Sequence, residues 1–419
     1  MPEKWDTLVL RDALGPNLKV LQLLGYWPPE ESSSLIRGVY QIYATFCVGF
    51  FFILYIVTEV INIVLSLDDL EKITEASFLF LTHFAQIIKL YHFTTKNPRI
   101  CALANSLQGP KFRARNAKQY GMLKRSIFEA QFTFYLFISM SLSTCILWGI
   151  FPLIDQSADG HMALPLSSYY PFSTDNSPTF ELIFAYQIIS TSINAATNVS
   201  MDTTVSSFMS VICGELNVLN DSLVNIREFA LERMGKRAVD LGLLDDSNHA
   251  KTHPELEMEM DKILIECVHQ HWQILDATIE IGELFNIGVL SQFAVGTIII
   301  CITMFELTLV ELFSLQFVSM VLYQGCMLVE IILYCWFGNE IILKSENICF
   351  SVYSSDWYRN SVEYKKKMLM IMTRTQVPIR LYAGNLFTLS LVTFAAILRS
   401  SWSYFAVLRR VHVDENEIQ

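Results

Sequence analysis

Few side chains in this sequence have the types and spacing that catalysis requires. The chain of 419 residues lacks a Gly-x-Ser-x-Gly nucleophile turn, a phosphate-binding loop, a Gly-x-Gly-x-x-Gly dinucleotide motif and a His-Glu-x-x-His zinc motif. His269 and His271 lie two residues apart, so on a helix they point to different faces and form a poor metal pair. We therefore predict that the protein is not an enzyme and uses no metal or cofactor.

Hydroxyl side chains stand out on the last apolar segment, which we predict to be a single helix over Leu381–Val411. Read at steps of three and four, one face of that helix is small or polar and ends in a valine and an arginine: Leu389, Thr393, Ala396, Ser400, Ser403, Val407 and Arg410. A helix that met only lipid would not need such a stripe. Two interpretations stay open: small residues let helices pack closely, or several copies surround a wet pore in which Val407 is the constriction.

Arg410 restricts the second interpretation. In a homotetramer with this arginine facing the lumen, four positive charges would stand at the mouth of the pore and repel cations. Such a pore would therefore either not conduct cations or contain this chain as a minority subunit of a hetero-oligomer.

Asp202 is an acid deep within an apolar segment. An intramembrane acid can mark a proton or ion site, but we expect Asp202 to lie at the cytosolic boundary of a long tilted helix. A secondary transporter would also show interrupted helices or an internal repeat, and neither is visible in the sequence.

The elements that carry these residues are membrane helices. Apolar residues make up 52% of the chain and charged residues 17%, against about 25% charge in a soluble protein. Six long segments contain no Asp, Glu, Lys or Arg: 38–58, 130–154, 182–201, 284–305, 312–329 and 381–398. A seventh, Ile73–Phe93, is weaker because it contains charged residues, and we expect its Lys89 to extend to the membrane interface. We therefore predict an all-α membrane protein with seven transmembrane helices.

Basic residues between the helices set the orientation. The connections after the second, fourth and sixth helices carry eight, six and seven Lys or Arg, whereas those after the first, third and fifth carry one, zero and zero. This asymmetry predicts a cytoplasmic N-terminus and an extracellular C-terminus, opposite to G-protein-coupled receptors. The net charge of −11 gives no basic surface for nucleic acid.

We predict four regions along the chain. Residues 1–37 form a cytoplasmic or re-entrant segment with an amphipathic stretch at Leu14–Trp27. Residues 38–343 hold the first six membrane helices, with cytoplasmic extensions at about 215–282. Residues 344–411 hold a cytoplasmic anchor helix and a pore-lining seventh helix, and residues 412–419 form an extracellular tail.

The C-terminal third carries a specific pattern in which a proline and an Ala-Gly pair precede a final helix rich in Ser and Phe. Its residues are Tyr353, Trp357, Lys365–Lys367, Arg374, Pro378, Ala383, Gly384, Phe387–Ser390, Phe394 and Ser403–Phe405. Leu147 and Trp148, followed by Phe151–Leu153, continue the pattern at the end of the third helix. With the inverted seven-helix topology, the sequence resembles the insect odorant receptor family.

The resemblance implies an odorant-gated, non-selective cation channel, built as a tetramer with a shared co-receptor in the plasma membrane of olfactory sensory neurons. This chain resembles a ligand-specific tuning subunit, because the co-receptor is longer before the fifth helix and carries a glutamine where this chain has Arg410. The implied partners are the co-receptor, a volatile organic ligand, permeating cations and membrane lipid. By position Val407 falls at the gate, with Ser403 and Ser400 on the same face, and the helix near Tyr364–Thr373 belongs to an anchor domain that holds the subunits together.

The resemblance also implies an odorant site in the outer half of the bundle formed by helices two to six. Carried over by position, its residues are Ser141, Thr144, Trp148, Phe80, His83, Phe84, Tyr186, Ile189, Met320 and Tyr323. Trp148 is the strongest candidate, since Ser141, Thr144 and Trp148 share one helix face. Volatile ligands have few polar atoms, so a mostly aromatic pocket with one or two hydrogen-bonding groups is expected. The alternative for each residue is ordinary bundle packing or an aromatic at the lipid interface.

Two alternative functions stay open. A gustatory receptor shares the topology and the pore, but its usual Thr-Tyr-x-x-x-x-x-Gln-Phe ending is replaced here by the sequence that begins at Ser403 and Tyr404. A metabotropic seven-helix receptor would need an extracellular N-terminus and a surface for a G protein.

Overall fold

The computed structural model describes residues 11–29, 33–68, 70–107, 114–154, 164–174, 176–235, 253–312 and 314–418. Parts of the predicted N-terminal segment (1–10) and of the cytoplasmic extensions (236–252), and the last residue of the predicted tail (419), lie outside these ranges. Helix makes up 84% of the structure, so the predicted all-α class is confirmed.

Twelve α-helices follow one another in the described ranges. They are α1 (Arg11–Leu23), α2 (Ser34–Cys47), α3 (Leu54–Leu65), α4 (Leu70–Thr95), α5 (Asn97–Ser106), α6 (Ala117–Ile154), α7 (Thr179–Val224), α8 (Ile226–Met234), α9 (Pro254–Leu309), α10 (Leu315–Tyr353), α11 (Val362–Arg374) and α12 (Leu391–Ile418). A π-helical stretch, Val48–Ile53, joins α2 to α3 into one continuous helix, and a 3-10 turn, Trp357–Arg359, precedes α11.

Seven helical segments of the described chain are long enough to cross a membrane: α2 to α3 taken together, α4, α6, α7, α9, α10 and α12. Five of them are also apolar enough by mean hydropathy, within Ser34–Leu65, Ala117–Ile150, Pro254–Leu309, Leu315–Arg359 and Leu391–Arg410. The other two, α4 and α7, carry many polar residues that the bundle buries, such as Lys89, Asn194 and Asp202. These buried polar side chains therefore lower the mean hydropathy of α4 and α7, although both helices are part of the bundle.

Two helices continue well beyond the thickness of a bilayer. α7 has 46 residues and α9 has 56, and at 1.5 Å per residue they are roughly 69 and 84 Å long, against a hydrocarbon core of about 30 Å. Their extensions pack on each other, and buried Gln270 of α9 donates a hydrogen bond to buried Glu215 of α7 at 3.0 Å. α8 packs on the same extensions, and Lys367 of α11 forms an ion pair with Asp261 of α9 at 2.9 Å.

The predicted final helix begins ten residues later than the sequence analysis placed it, at Leu391 instead of Leu381. Residues 381–390 form a small antiparallel hairpin in which Tyr382 faces Thr388. Gly384 and Asn385 both have positive φ, +58° and +59°, which breaks the helix because such values suit a tight turn. The prediction was wrong because the apolar pattern runs unbroken through the turn, and Leu389 therefore does not belong to the helical stripe.

The amphipathic stretch near the N-terminus packs into the bundle. Leu14 and Leu21 of α1 are buried, and α1 packs on α6 and α7. Asn17 Nδ2 donates to the Thr203 hydroxyl of α7 at 2.9 Å. The apolar face of α1 therefore packs against other helices of the protein. An interfacial helix would instead place that face against lipid.

Candidate ligand site

A cavity of about 50 Å³ lies between α4, α6, α7 and α10. Each helix contributes side chains one or two turns apart, because residues three or four apart share a helix face. The wall consists of Leu79, Thr82, His83 and Gln86 from α4; Phe137, Ser141, Thr144, Cys145 and Trp148 from α6; Thr191, Asn194, Ala195, Asn198 and Val199 from α7; and Tyr323, Cys326 and Met327 from α10. It is a mixed wall of aromatic, aliphatic and polar groups.

Five of the ten residues that the sequence placed at an odorant site line this cavity: Ser141, Thr144, Trp148, His83 and Tyr323. Trp148 and Tyr323 stand with ring centroids 5.4 Å apart, and Phe78 lies 6.1 Å from the first and 5.1 Å from the second. These rings form an aromatic cluster at one end of the cavity, and Trp148 is 8% exposed.

The other five predicted residues lie outside the cavity wall. Phe84 and Ile189 are 45% and 48% exposed, and the Phe80 ring packs against Phe84 with centroids 6.5 Å apart. Tyr186 donates its hydroxyl to the main-chain oxygen of Phe50 at 2.9 Å. Met320 is buried in the hydrophobic core. In this structure none of the five borders the cavity.

Several polar residues of the wall were not predicted from the sequence, above all Gln86, Asn194 and Asn198. Two signals for them were present. Gln86 follows His83 by three residues, and Asn194 and Asn198 are four apart on α7, so each set shares a helix face. A polar stripe on an otherwise apolar span indicates the side that faces other helices.

Hydroxyl groups on the wall bond to one another and to the backbone. Thr82 and Tyr323 lie 2.6 Å apart through their oxygens, and both also reach the main-chain oxygen of Phe78, at 3.1 and 3.2 Å. The Thr144 hydroxyl donates to the Met140 carbonyl at 3.1 Å. These bonds fix the side chains that face the cavity.

The imidazole of His83 is hydrogen-bonded to the carboxylate of Glu59. Its Nδ1 lies 2.9 and 3.1 Å from the two carboxylate oxygens of Glu59, and both residues are 2% exposed. The Tyr55 and Phe52 rings meet the imidazole edge to face, at 5.6 and 6.2 Å between centroids. The carboxylate and the rings therefore set the direction in which this histidine faces the cavity.

A buried ionic cluster adjoins the cavity through Asn198, which belongs to both. The ammonium group of Lys89 bonds to both carboxylate oxygens of Asp202 at 2.8 and 3.0 Å, to Glu330 at 2.6 Å and to Asn198 at 2.8 Å. Tyr334 adds a hydroxyl bond to Asp202 at 2.6 Å. Lys89, Asp202 and Glu330 are 4%, 1% and 0% exposed. Their ion pairs and hydrogen bonds with one another therefore take the place of the water that charged groups would otherwise bind.

This cluster corrects two expectations. Lys89 does not extend to the membrane interface, and Asp202 does not mark a solvated helix boundary, because each neutralises the other inside the bundle. Both expectations came from reading one helix at a time, and each overlooked a partner on another helix.

The predicted pore residues form an exposed face of this single chain. α12 attaches to α9 through Ser401, whose hydroxyl donates to the Thr297 carbonyl at 3.1 Å, and through buried Phe405. On the opposite side Val407 is 62% exposed, and Ser400, Ser403 and Arg410 are exposed as well. The hydroxyls of Ser400 and Ser403 donate to their own helix, each to the carbonyl four residues earlier.

Larger hollows lie away from the predicted odorant residues. A groove of about 930 Å³ runs between α6, α7 and α10, where Lys118, Arg125 and Lys344 stand beside Glu129 and Glu340. A second hollow of about 310 Å³ lies under α11 and is lined mainly by apolar residues of α7, α9 and α10. In the small cavity, buried aromatic side chains converge with a few polar ones, which is the combination of groups expected at a small-molecule site.

Burial changes the protonation of one group in the helical extensions. Glu215 is 0% exposed, and desolvation raises the pKa of its carboxyl group to about 8, against the lowering effect of the hydrogen bond from Gln270. Its second oxygen, Oε1, has no partner among the described residues. Burial therefore favours the protonated form of Glu215.

The long helices and their buried polar interior define a multi-pass membrane protein, and comparisons with known proteins give its family. The family model described as "7tm Odorant receptor" matches residues 69–402. Odorant receptor Or1 of Anopheles gambiae is 24% identical over 97% of both chains, and odorant receptor 46a, isoform A, of Drosophila melanogaster is 22% identical over 94% of this chain and 96% of its own.

Solved structures share the fold of this chain. The olfactory receptor OR5 of Machilis hrabei, determined in complex with eugenol, superposes with a TM-score of 0.78 at 20% identity and covers 96% of this chain and 98% of its own. The structure of the same receptor described without eugenol gives the same TM-score at 19% identity. The chain belongs to the insect odorant receptor family, whose members are seven-helix receptors and not enzymes.

Proposed function

We propose that this chain is the ligand-specific subunit of an odorant-gated, non-selective cation channel. The observation that carries the proposal is the cavity in which Trp148, Tyr323 and Thr144 converge from two helices with His83 from a third. The related receptor OR5, with the same fold, was determined in complex with eugenol. A volatile organic molecule would bind in this cavity, with Trp148 and Tyr323 against its carbon skeleton.

The channel would contain a second kind of subunit, the odorant receptor co-receptor. The exposed face of α12 supports an assembly in which this helix lines a pore and Val407 forms its narrowest ring. Arg410 on the same side is exposed, and four copies would repel cations. In a hetero-oligomer, fewer copies of Arg410 would stand at the pore, because the other subunits lack this arginine. We place this channel in the plasma membrane of olfactory sensory neurons.

Gating would proceed by a shift between two packings of the helices. α10 supplies Tyr323 to the cavity and Glu330 to the ionic cluster. Further along the same helix, Gly338 has no side chain and lies directly against Leu389, two residues before α12 begins. A ligand that binds the open packing more tightly than the closed one would move α10 and thereby α12.

The test is current recorded from cells that express this chain with an odorant receptor co-receptor, during a screen of volatile compounds. We expect an odorant-evoked cation current, and we expect Trp148→Ala to raise the half-activating concentration of the active compound about tenfold or more. Trp27→Ala is the matched control, since Trp27 is as deeply buried as Trp148, at 4% exposed, and lies outside the cavity wall. Identical concentration–response curves for wild type and Trp148→Ala would refute the cavity assignment.

A further inference from the structure

Two hydrogen-bond acceptors in the cavity wall are unused. Gln86 Oε1 and Asn194 Oδ1 have no partner among the described residues, and both side chains line the cavity. Gln86 is 1% exposed and Asn194 is 0% exposed, so bulk solvent does not reach them. A buried amide oxygen without a partner is costly, and a bound donor would remove that cost.

The two amides are fixed in an orientation that leaves their oxygens open. Gln86 Nε2 donates to the main-chain oxygen of Asn194 at 3.1 Å, and Asn194 Nδ2 donates to the main-chain oxygen of Phe51 at 3.1 Å. Exchanging nitrogen and oxygen in either amide would set an oxygen against a carbonyl oxygen. Both nitrogens therefore donate to the backbone, and neither oxygen has a partner among the described residues.

Donor groups on the same wall are largely engaged. Thr144 donates to a carbonyl of its own helix, and Thr82 and Tyr323 share a bond and reach a second carbonyl. Asn198 directs its amide nitrogen to Glu330 at 3.3 Å, and His83 Nδ1 bonds to Glu59. Among these groups the donors are occupied, whereas the two amide oxygens have no partner among the described residues.

We propose that the cavity selects a small neutral molecule with a hydroxyl group over a molecule of the same shape that only accepts hydrogen bonds. This inference rests on the function proposed above and adds the chemistry of the ligand. The hydroxyl proton bonds to Gln86 Oε1, and the carbon skeleton packs on Trp148 and Tyr323. A protonated amine is a poorer fit, because neutral amides do not compensate a desolvated charge. The cavity volume of about 50 Å³ favours a short carbon skeleton.

The first experiment uses the wild-type chain with a co-receptor and pairs of short secondary alcohols and ketones that share a skeleton. We expect each alcohol to activate at about a tenfold lower concentration than its ketone, the effect of one well-placed hydrogen bond. Equal potency within the pairs, or a preference for ketones, would overturn the hydroxyl preference and leave the proposed function intact. No current with any volatile compound, while both subunits are at the cell surface, would overturn the proposed function itself.

The second experiment locates the preference with matched variants. Gln86→Met should lose most of the alcohol-to-ketone ratio while ketone responses persist. Gln187→Met is the control, because Gln187 is also fully buried, donates to a backbone oxygen at 2.9 Å and has an unpartnered Oε1 among the described residues, but lies outside the cavity wall. A ratio that survives Gln86→Met, or that both variants abolish equally, would contradict the assignment. Surface labelling reports whether each variant folds, and the wild-type ratio tests the proposal without any variant.

Discussion

Lys89 shows how a single charged side chain organises the bundle at the residue scale. It carries one positive charge between two buried acids, Asp202 and Glu330. Removing one partner of such a cluster is far more costly than removing all of it, because the remaining charges stay buried without compensation. The cluster therefore specifies how α4, α7 and α10 pack together.

Lys89→Met should lower the free energy of unfolding by about 3–5 kcal/mol, measured by thermal unfolding of the purified protein in detergent. Lys124→Met, at an exposed position of α6, should have little effect. The triple change Lys89→Met, Asp202→Asn and Glu330→Gln should recover much of the loss, since the charges leave together. A single Lys89→Met protein as stable as wild type would show that the cluster contributes nothing.

Glu215 makes a pH-dependent contribution to stability. Burial raises the pKa of its carboxyl group to about 8 from an ordinary value of 4.5, so the folded state holds this proton more tightly than the unfolded state. The contribution is therefore fully present below pH 4.5 and is lost as the pH rises towards 8. Glu215→Gln should raise the melting temperature at pH 8.5, by an amount that corresponds to a few kcal/mol, and change it little at pH 5.

Exposed Glu232 on α8 provides the control for that experiment. Glu232→Gln should leave the pH dependence of the melting temperature as in wild type. If Glu215→Gln followed the wild-type curve at every pH, the carboxyl group would not be the source of the dependence.

The hairpin before α12 is the element whose geometry is most constrained. Gly384 has a φ of +58° and donates its amide to the Asn286 carbonyl of α9 at 3.0 Å. A Cβ at this position would overlap the side chain of Leu290. The hairpin therefore fixes the start of α12 against α9, where neither a longer helix nor a larger residue would fit.

Gly384→Ala should lower stability by about 1–3 kcal/mol through backbone strain alone and further through the overlap with Leu290. Reduced surface expression and a lower melting temperature are the measurements. Gly121→Ala on α6 is the matched control, because a Cβ there meets nothing within 4 Å and alanine favours helix. Equal behaviour of the two variants would mean that the turn tolerates a side chain.

Helical faces could be predicted from the sequence, but contacts between helices could not. The set of Ser141, Thr144 and Trp148 was predicted correctly as one face, because the period of the α-helix is fixed. The cluster around Lys89 was not, since its acids lie 113 and 241 residues away along the chain. No spacing rule relates residues so far apart.

The start of α12 could have been predicted better from the sequence. The pair of Gly384 and Asn385 favours a turn with two positive φ values, but it lies within an apolar run that favours a membrane helix. The apolar run outweighed the turn signal in the prediction. Phe84 and Ile189 illustrate a related difficulty: their helices were predicted, but the side that faces the cavity depends on how each helix is rotated in the bundle.

At the scale of the whole molecule, the distribution of basic residues predicts the orientation in the membrane. A tag at the N-terminus should bind antibody only in permeabilised cells, and a tag after Gln419 should bind antibody on intact cells. The opposite pattern would exclude α12 as a pore helix with its end outside the cell. It would also favour a metabotropic arrangement.

The most direct test of the central claim is a structure of this chain assembled with a co-receptor in the presence of an activating odorant. We predict ligand density enclosed by α4, α6, α7 and α10, in contact with Trp148 and Tyr323. Ligand density in the groove between Lys118 and Lys344, with the inner cavity empty, would contradict the account.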